Sequence, residues 1–483
     1  MLTYSFTDTG DDCLYIHLYK CIKNDILSGK LSAGTKLPSK RSFAKHLGIS
    51  TITIETAYAQ LQSEGYIYSL PKKGFFVTEI IAPIVSIPKT TPAKIQIPDT
   101  KVHYQIDFVN NKTNPDNFPF SIWAKLIRET ISEKSEELMT APPYGGIPEL
   151  RLAICNHLKD FRNMDIIPEQ VIVGAGTEYL YGLLIKLLGF DKIYAIENPG
   201  YQKLAQIYES NQVTYRAISL DKSGINMTEL EHSDAMIAHI TPSHHYPTGI
   251  VTSISRRYKL LDWASKSPMR YIIEDDYDSE FRLAGQPIPT LQSIDHSEKV
   301  IYINTFTKSL SSTVRLSYMI LPKHLLEKFH QTLSFYSCTV SNFEQYTLAH
   351  FLSDGFFEKH INRMRTHYKT LRDTLLNAIK KSPFASQIQI SEEDAGLHFL
   401  MKISTQKSDT ELIQIAAKHG VHITCLSQYY FEPVENIPAH TLVLNYAGLT
   451  LDQIPLAVSL LENLATSIPN NTPEAAPNKT SVG

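Results

Sequence analysis

The 483-residue sequence is poor in cysteine and has no long apolar run. Its five cysteines, Cys13, Cys21, Cys155, Cys338 and Cys425, form an odd, scattered set. Such a set argues against a disulfide framework or a zinc site and for a reducing cytoplasm. No stretch reaches the roughly 18 apolar residues that cross a bilayer, which excludes a membrane-spanning helix. The opening residues, MLTYSFTDTGDD, have neither a basic start nor an apolar core, so no secretory signal is expected. Internal repeats are absent. A hydrophobic fraction of 43% and a charged fraction of 20% exclude a disordered or fibrous chain. The length is about three times a typical ~150-residue domain, so more than one folding unit is expected.

Net charge is small overall, but it is unevenly placed. Between Asp12 and Thr78, nine Lys/Arg stand against four Asp/Glu, a local net of +5, so the rest of the chain carries −8 of the total −3. A small basic front on a larger acidic body points to contact with a polyanion. From Ile80 to Tyr104 four prolines interrupt any period, which reads as an extended linker. The tail from Pro469 is polar and proline-rich. The expected organisation is a head over 12–78, a linker over 79–105, a large α/β domain over 106–466 and a flexible tail over 467–483.

In the head, Leu14, Leu18, Ile22 and Ile26 recur every four residues, one stripe of a helix ending near Gly29. Ser39 can cap a second helix that turns inward Phe43 and Leu47, and Ser50 a third that buries Ile54, Ala57, Tyr58 and Leu61. Two β-like runs, Tyr66–Ser69 and Phe75–Val77, flank Pro71-Lys72-Lys73-Gly74. Three helices and a two-stranded wing make a winged helix-turn-helix, with the third helix in the major groove of double-stranded DNA and the wing tip along phosphates. A winged helix that only touches protein is the alternative. The stretches Gly34-Thr35-Lys36-Leu37-Pro38-Ser39-Lys40-Arg41 and Ala57-Tyr58-Ala59-Gln60-Leu61 resemble the GntR family of bacterial regulators. The resemblance and the helical reading together imply operator contacts from Ser39, Lys40, Arg41, Ser50, Thr51, Thr53 and Thr56, and from Lys72 and Lys73 on the wing. Thr51 and Glu55 stand where many relatives carry arginine, so groove reading shifts to Thr51, Thr53 and the wing.

Four features of the larger part carry chemistry, each with a plainer alternative. Val171–Gly174 followed by Ala175-Gly176-Thr177 reads as strand, glycine turn and helix, whose free N–H groups can hold a phosphate; many α/β loops look alike. Tyr271-Ile272-Ile273-Glu274-Asp275-Asp276-Tyr277 is an apolar strand ending in acids, where α/β sheets place sites; a carboxylate there can equally cap a helix. Lys308 follows the strand Val300–Thr305 among hydroxyls, with Arg315 seven residues on. Partly desolvated, it is a nucleophilic amine; otherwise it is a surface lysine. Asn198-Pro199-Gly200-Tyr201 is a turn that presents an aromatic face or packs it.

In this order the four features resemble fold-type I, aspartate-aminotransferase-like enzymes that use pyridoxal 5'-phosphate (PLP). Thr241–Gly249 and Glu274–Arg282 extend the match. Joined to the head, the whole resembles the MocR/GabR subfamily of GntR regulators. The resemblance implies an internal aldimine at Lys308, Asp275 on the pyridinium nitrogen, Tyr277 on the 3' oxygen and Tyr201 stacked on the ring. It implies phosphate contacts from Gly176, Thr177, Thr305, Thr307 and Arg315, and from Tyr144 of a neighbouring subunit, hence a homodimer, swapped head to tail. No catalytic or metal-binding residue is expected.

The departures bear on function. Relatives that capture an amino acid hold its carboxylate with arginine, where this chain has Gln428 in one scheme and Val443 in the other. Lys203 stands where the γ-aminobutyrate sensor has another arginine. Replacing a guanidinium by an amide loses about 1.5–3 kcal/mol, a factor of ten to a hundred or more. The favoured reading is therefore a PLP-dependent DNA-binding transcriptional regulator with PLP as effector, like the PdxR-like branch that controls vitamin B6 synthesis. A sensor of an amino acid or amine, and an aminotransferase that also binds DNA, remain as alternatives.

Overall fold

Two serines set the front unit. Ser39 Oγ accepts from the Ser42 N–H and Ser50 Oγ from the Thr53 N–H, so α2 (Lys40–Leu47) and α3 (Thr51–Ser63) start where a side chain replaces the missing carbonyl. They follow α1 (Leu14–Leu27) and precede the hairpin of β1 (Ile67–Leu70) and β2 (Gly74–Val77). Gly48 closes α2 in the left-handed conformation, φ 69°, which turns the chain sharply into α3. The core joins Leu18, Ile22 and Ile26 of α1 to Phe43, Ile54, Tyr58, Leu61 and Val77. Tyr58 Oη also donates to the Pro38 carbonyl at 3.0 Å, tying α3 to the turn before α2. Leu14, expected on the buried stripe, is 44% exposed at the first position of the helix.

This computed structural model describes residues 2–6, 12–80, 103–110, 114–283, 288–394, 396–432, 434 and 437–466. Apart from 79–80 and 103–105, the expected linker lies outside them, as does the tail over 467–483. The chain divides into two units, Met1–Thr100 and Lys101–Gly483. Among the described residues no helix is long and apolar enough to cross a membrane, and no cluster of His, Cys, Asp and Glu is placed to hold a metal.

The second unit opens with β3 (Ile106–Asp107), α4 (Phe120–Glu133), α5 (Ser135–Leu138) and α6 (Pro148–Arg162). An eight-stranded sheet follows, built from β4 (Val171–Gly174), β5 (Tyr194–Asn198), β6 (Tyr215–Asp221), β7 (Gly224–Ile225), β8 (Ile237–Ile240), β9 (Tyr271–Asp275), β10 (Val300–Thr305) and β11 (Ser317–Ile320). Its order is β4-β11-β10-β9-β8-β5-β6-β7, parallel through the centre from β10 to β6. Helices α7 (Thr177–Leu188), α8 (Gln202–Ser210), α9 (Met227–His232) and α10 (Ile254–Ser265) alternate with the strands. Central strands such as Tyr271–Asp275 and Val300–Thr305 are buried along their whole length, which is why their apolar residues run on without alternation. The carboxyl ends of β5, β8, β9 and β10 share one edge, and the functional residues gather there. A smaller sheet, β12 (Ile388–Ser391), β13 (His398–Ile403), β15 (Thr424–Cys425) and β16 (Thr441–Asn445), is antiparallel, while β14 (Val421–His422) pairs with β3. It shares a core with the helices Phe356–Lys380 and Ile454–Thr466. This is the winged helix-turn-helix and the fold-type I α/β architecture that the sequence leads one to expect.

Candidate functional site

Three consecutive acids, Glu274 and Asp275 at the end of β9 and Asp276 just past it, point to different sides. Glu274 and Asp276 point one way, each to a buried arginine. Glu274 accepts from the Leu291 and Gln292 N–H groups at 2.8 and 2.9 Å and lies 3.4 Å from Arg257 Nη1. Burial pushes its carboxyl up to about 7, against the pull of Arg257. Asp276 pairs with Arg162 and accepts from Tyr302 Oη at 2.7 Å. Burial alone would raise Asp276, but Arg162 and its hydrogen bonds hold it below the usual range. Asp275, between them, faces the cavity. Tyr181 Oη donates to its Oδ2, and His239 Nε2 stands 3.7 Å away. Its Oδ1 is buried without a hydrogen-bond partner among the described residues.

That cavity measures about 630 Å³. Gly176, Thr177, Tyr201, Asp275, Tyr277, Thr305, Thr307, Lys308 and Arg315 all line it, so nine of the ten residues singled out for the cofactor come together. Lys308 is half-buried, with Nζ 5.9 Å from the Tyr277 ring centre. Burial pushes its amine down to about 8, with Asp278 opposing. Burial likewise holds the Tyr277 hydroxyl well above its ordinary value, so it stays a donor; it lies 3.4 Å from His244 Nδ1. Tyr201 meets Tyr246 edge-on, ring centres 6.2 Å apart.

At the other end of the cavity, α7 presents its first turn. The Gly176 N–H donates to the Gly174 carbonyl at 2.9 Å, which corrects the expectation that it is a free donor. Thr177 and Glu178 keep the N–H groups that a helix start leaves without a carbonyl. What Gly176 contributes is space: with φ 92°, a Cβ there would lie 2.6 Å from Arg315 Nη2. Arg315 itself holds φ 51°, uncommon for a residue with a side chain. Thr305 Oγ1 donates to Thr307 Oγ1 at 2.7 Å and accepts from Ser317 Oγ at 2.8 Å, so it braces the turn that leaves Thr307 toward the cavity. Tyr144 does not line the cavity; its hydroxyl meets His330 and its ring lies 6.0 Å from Phe329.

On the head, several expected contacts are already engaged. Ser39 and Ser50 cap helices, Thr53 Oγ1 lies 2.8 Å from Ser50 Oγ, and Thr56 Oγ1 donates to the Ile52 carbonyl at 2.9 Å. Lys40 Nζ pairs with Glu55 at 2.6 Å. Arg41, Thr51, Lys72 and Lys73 are exposed, and Lys72 turns the wing tip with φ 61°. Ile52, absent from the expected set, is 74% exposed near the start of α3.

Comparison with known proteins places both units. The family "aminotransferase class I and II" matches residues 107–461 and "bacterial regulatory proteins, gntR family" residues 14–77. YdeL of Bacillus subtilis (strain 168), an uncharacterised HTH-type transcriptional regulator, is 37% identical over 457 residues, spanning 94% of this chain and 97% of that one. MocR of Rhizobium meliloti, named a probable rhizopine catabolism regulatory protein, is 29% identical over 91% of both chains. The chain belongs to the MocR/GabR subfamily of GntR regulators. PdxR of Corynebacterium glutamicum, an HTH-type pyridoxine biosynthesis transcriptional regulator, is 28% identical to this regulator over 85% of this chain and 87% of that one. Among solved structures, kynurenine aminotransferase of Pyrococcus horikoshii matches with a TM-score of 0.66 at 22% identity, covering 76% of this chain and 91% of that chain, which shows the fold.

Neither anchor position of this MocR/GabR regulator offers a cation to the cavity. Gln428 is exposed and its side chain turns back to accept from the Cys425 N–H at 3.2 Å. Val443 is 2% exposed in β16, packed against Leu400, Leu426 and Tyr429. The sequence reading missed Tyr181, His239 and Glu178. Tyr181 had a signal available: it lies four residues after Thr177 and so on the same face of α7. His239 had none, because only the strand order brings β8 beside β9.

Proposed function

We propose that this transcriptional regulator binds PLP in the large-domain cavity and responds to it as its effector, altering how its winged heads hold a DNA operator. PLP supplies an aldehyde that condenses with an amine, and a ring that draws electrons when its nitrogen is protonated. The cavity fits that group: Asp275 Oδ1, without a partner among the described residues, suits a protonated ring nitrogen, and the Gly176 turn leaves room for Arg315 beside a phosphate site. Lys308 offers a partly neutral amine. Asp275 is oriented by Tyr181 and holds a proton at the ring nitrogen. Tyr277 donates from its hydroxyl, Tyr201 covers a ring face, and Thr177, Thr307 and Arg315 take the phosphate, Arg315 by a two-pronged grip.

One observation carries the effector reading: the cofactor residues converge while both carboxylate-anchor positions are withdrawn, Gln428 onto the Cys425 N–H and Val443 into a core. A cavity without that anchor gives amino acids little to bind, so PLP is the signal and turnover is not the task. The genes controlled are those of vitamin B6 synthesis, a reading supported by the 28% identity to PdxR. On the head, Arg41, Thr51 and Ile52 face the groove while Lys72 and Lys73 lie along phosphates. The working unit is a homodimer in which Tyr144, standing outside its own cavity, serves the neighbour's. Mobility shifts with DNA from upstream of pyridoxine-synthesis genes test this: a complex that changes with micromolar PLP is expected, and a complex indifferent to PLP counts against it. A second reading, an amino acid or amine sensed together with PLP, draws on the cavity's size and on Lys203 in its wall.

A further inference from the structure

Among the described residues, three cations line the cavity: Lys308, Arg315 and Lys203. If PLP binds there, Lys308 takes the aldehyde and Arg315 the phosphate, leaving Lys203 for any other anion. Lys203 is not free. Its Nζ donates to Glu178 Oε1, while Glu178 Oε2 lies 3.3 Å from Arg315 Nη2. One carboxylate, second in α7, thus engages both remaining cations. It is held as an anion: Lys203 first, then Arg315, keep its carboxyl below the ordinary range despite partial burial. All three side chains stay open to water, at 48%, 39% and 48% exposure for Lys203, Glu178 and Arg315.

Pairs this wet are weak and exchange readily. A phosphate, with more charge and several oxygens for the guanidinium fork, outcompetes a single carboxylate oxygen at 3.3 Å. Glu178 then stands beside a second anion, and like charge drives it off Arg315 and wholly onto Lys203. We infer that Glu178 is a built-in anion that occupies Arg315 until phosphate arrives and afterwards keeps Lys203 neutralised, so that the rest of the cavity rejects carboxylates. This rests on the PLP reading and deepens it: the chain excludes amino acids by supplying its own carboxylate as well as by lacking an arginine.

The test uses the full-length protein as wild type, Glu178→Gln and the double variant Glu178→Gln with Lys203→Met. Titrating the PLP-free proteins with PLP, and with inorganic phosphate as competitor, should show several-fold tighter binding of both by Glu178→Gln. The PLP-loaded proteins are then titrated with glycine, alanine and γ-aminobutyrate and with the matching amines that lack the carboxylate. Glu178→Gln should respond spectrally to the carboxylate-bearing compounds at concentrations at least tenfold below wild type, with plain amines unchanged and the gain abolished in the double variant. Normal PLP binding by wild type and Glu178→Gln, with identical phosphate competition and equal indifference to amino acids, would overturn this inference and leave the PLP reading standing. Failure of both proteins to bind PLP would overturn both.

Discussion

Tyr181 donates its hydroxyl proton to one oxygen of Asp275, and the other oxygen of Asp275 is buried without a partner among the described residues. The carboxylate is thereby fixed in rotation and left with one unmet demand, directed at the cavity. Asp275→Asn should therefore weaken PLP binding by about 1.5–3 kcal/mol, a factor of ten to a hundred or more, because a charge-assisted contact becomes neutral. Tyr181→Phe should weaken it less, since the charge remains. Equilibrium titration followed by absorbance measures both; equal affinities for Asp275→Asn and wild type would remove Asp275 from the ring nitrogen.

Burial brings the Lys308 amine down to about 8. At pH 7 roughly a tenth of it is then neutral, against well under a thousandth for an ordinary lysine. The depressed value means the reactive neutral form grows as pH rises and saturates above the folded value. The rate of PLP capture should climb about tenfold per pH unit below 8 and level off above it. Stopped-flow absorbance reads this, and a rate still climbing at pH 10 would show an unperturbed amine. Lys308→Ala should lose the visible chromophore altogether.

The site was legible where chemistry follows chain order and illegible where it follows packing. Lys308, Asp275 and the Gly176 turn sit at strand ends, and a run of buried strands locates such ends from sequence alone. Ser39 and Ser50 were readable as caps because capping is local. By contrast, the acids at the end of β9 could not be divided by role until Arg162 and Arg257 were seen from α6 and α10, 114 positions from Asp276 and 17 from Glu274 respectively. Leu14 misled because a stripe says which face is apolar, not how much of that face is covered. Glu178 was invisible for the same kind of reason: Lys203 and Arg315 reach it from 25 and 137 positions off.

Arg162 and Asp276 form a buried pair behind the cavity, with side chains 3% and 0% exposed. Arg162→Ala strands the carboxylate and should cost about 3–5 kcal/mol, read as a lower denaturation midpoint of the large unit. Joint replacement, Arg162→Met with Asp276→Leu, should recover most of that loss. An Arg162→Ala protein as stable as wild type would mean the pair is not what offsets this burial.

On the head, Ile52 offers an aliphatic surface near hydroxyls that are already engaged, Thr53 with Ser50 and Thr56 with the Ile52 carbonyl. An apolar side chain in the major groove meets the thymine methyl. Replacing operator thymines by uracil should weaken wild-type binding several-fold and leave Ile52→Ala unaffected. Equal uracil sensitivity in both proteins would move Ile52 off the base edges. Lys72→Ala with Lys73→Ala should instead lower affinity for all sequences and flatten the salt dependence by up to about two in slope.

The most direct measurement is the affinity of the full-length regulator for its operator with no ligand, with PLP alone, and with amino acids at fixed PLP, repeated for Lys308→Ala. PLP alone is expected to change the wild-type affinity, amino acids to add nothing, and Lys308→Ala to be unresponsive. An operator complex unmoved by PLP but shifted by an amino acid would contradict it.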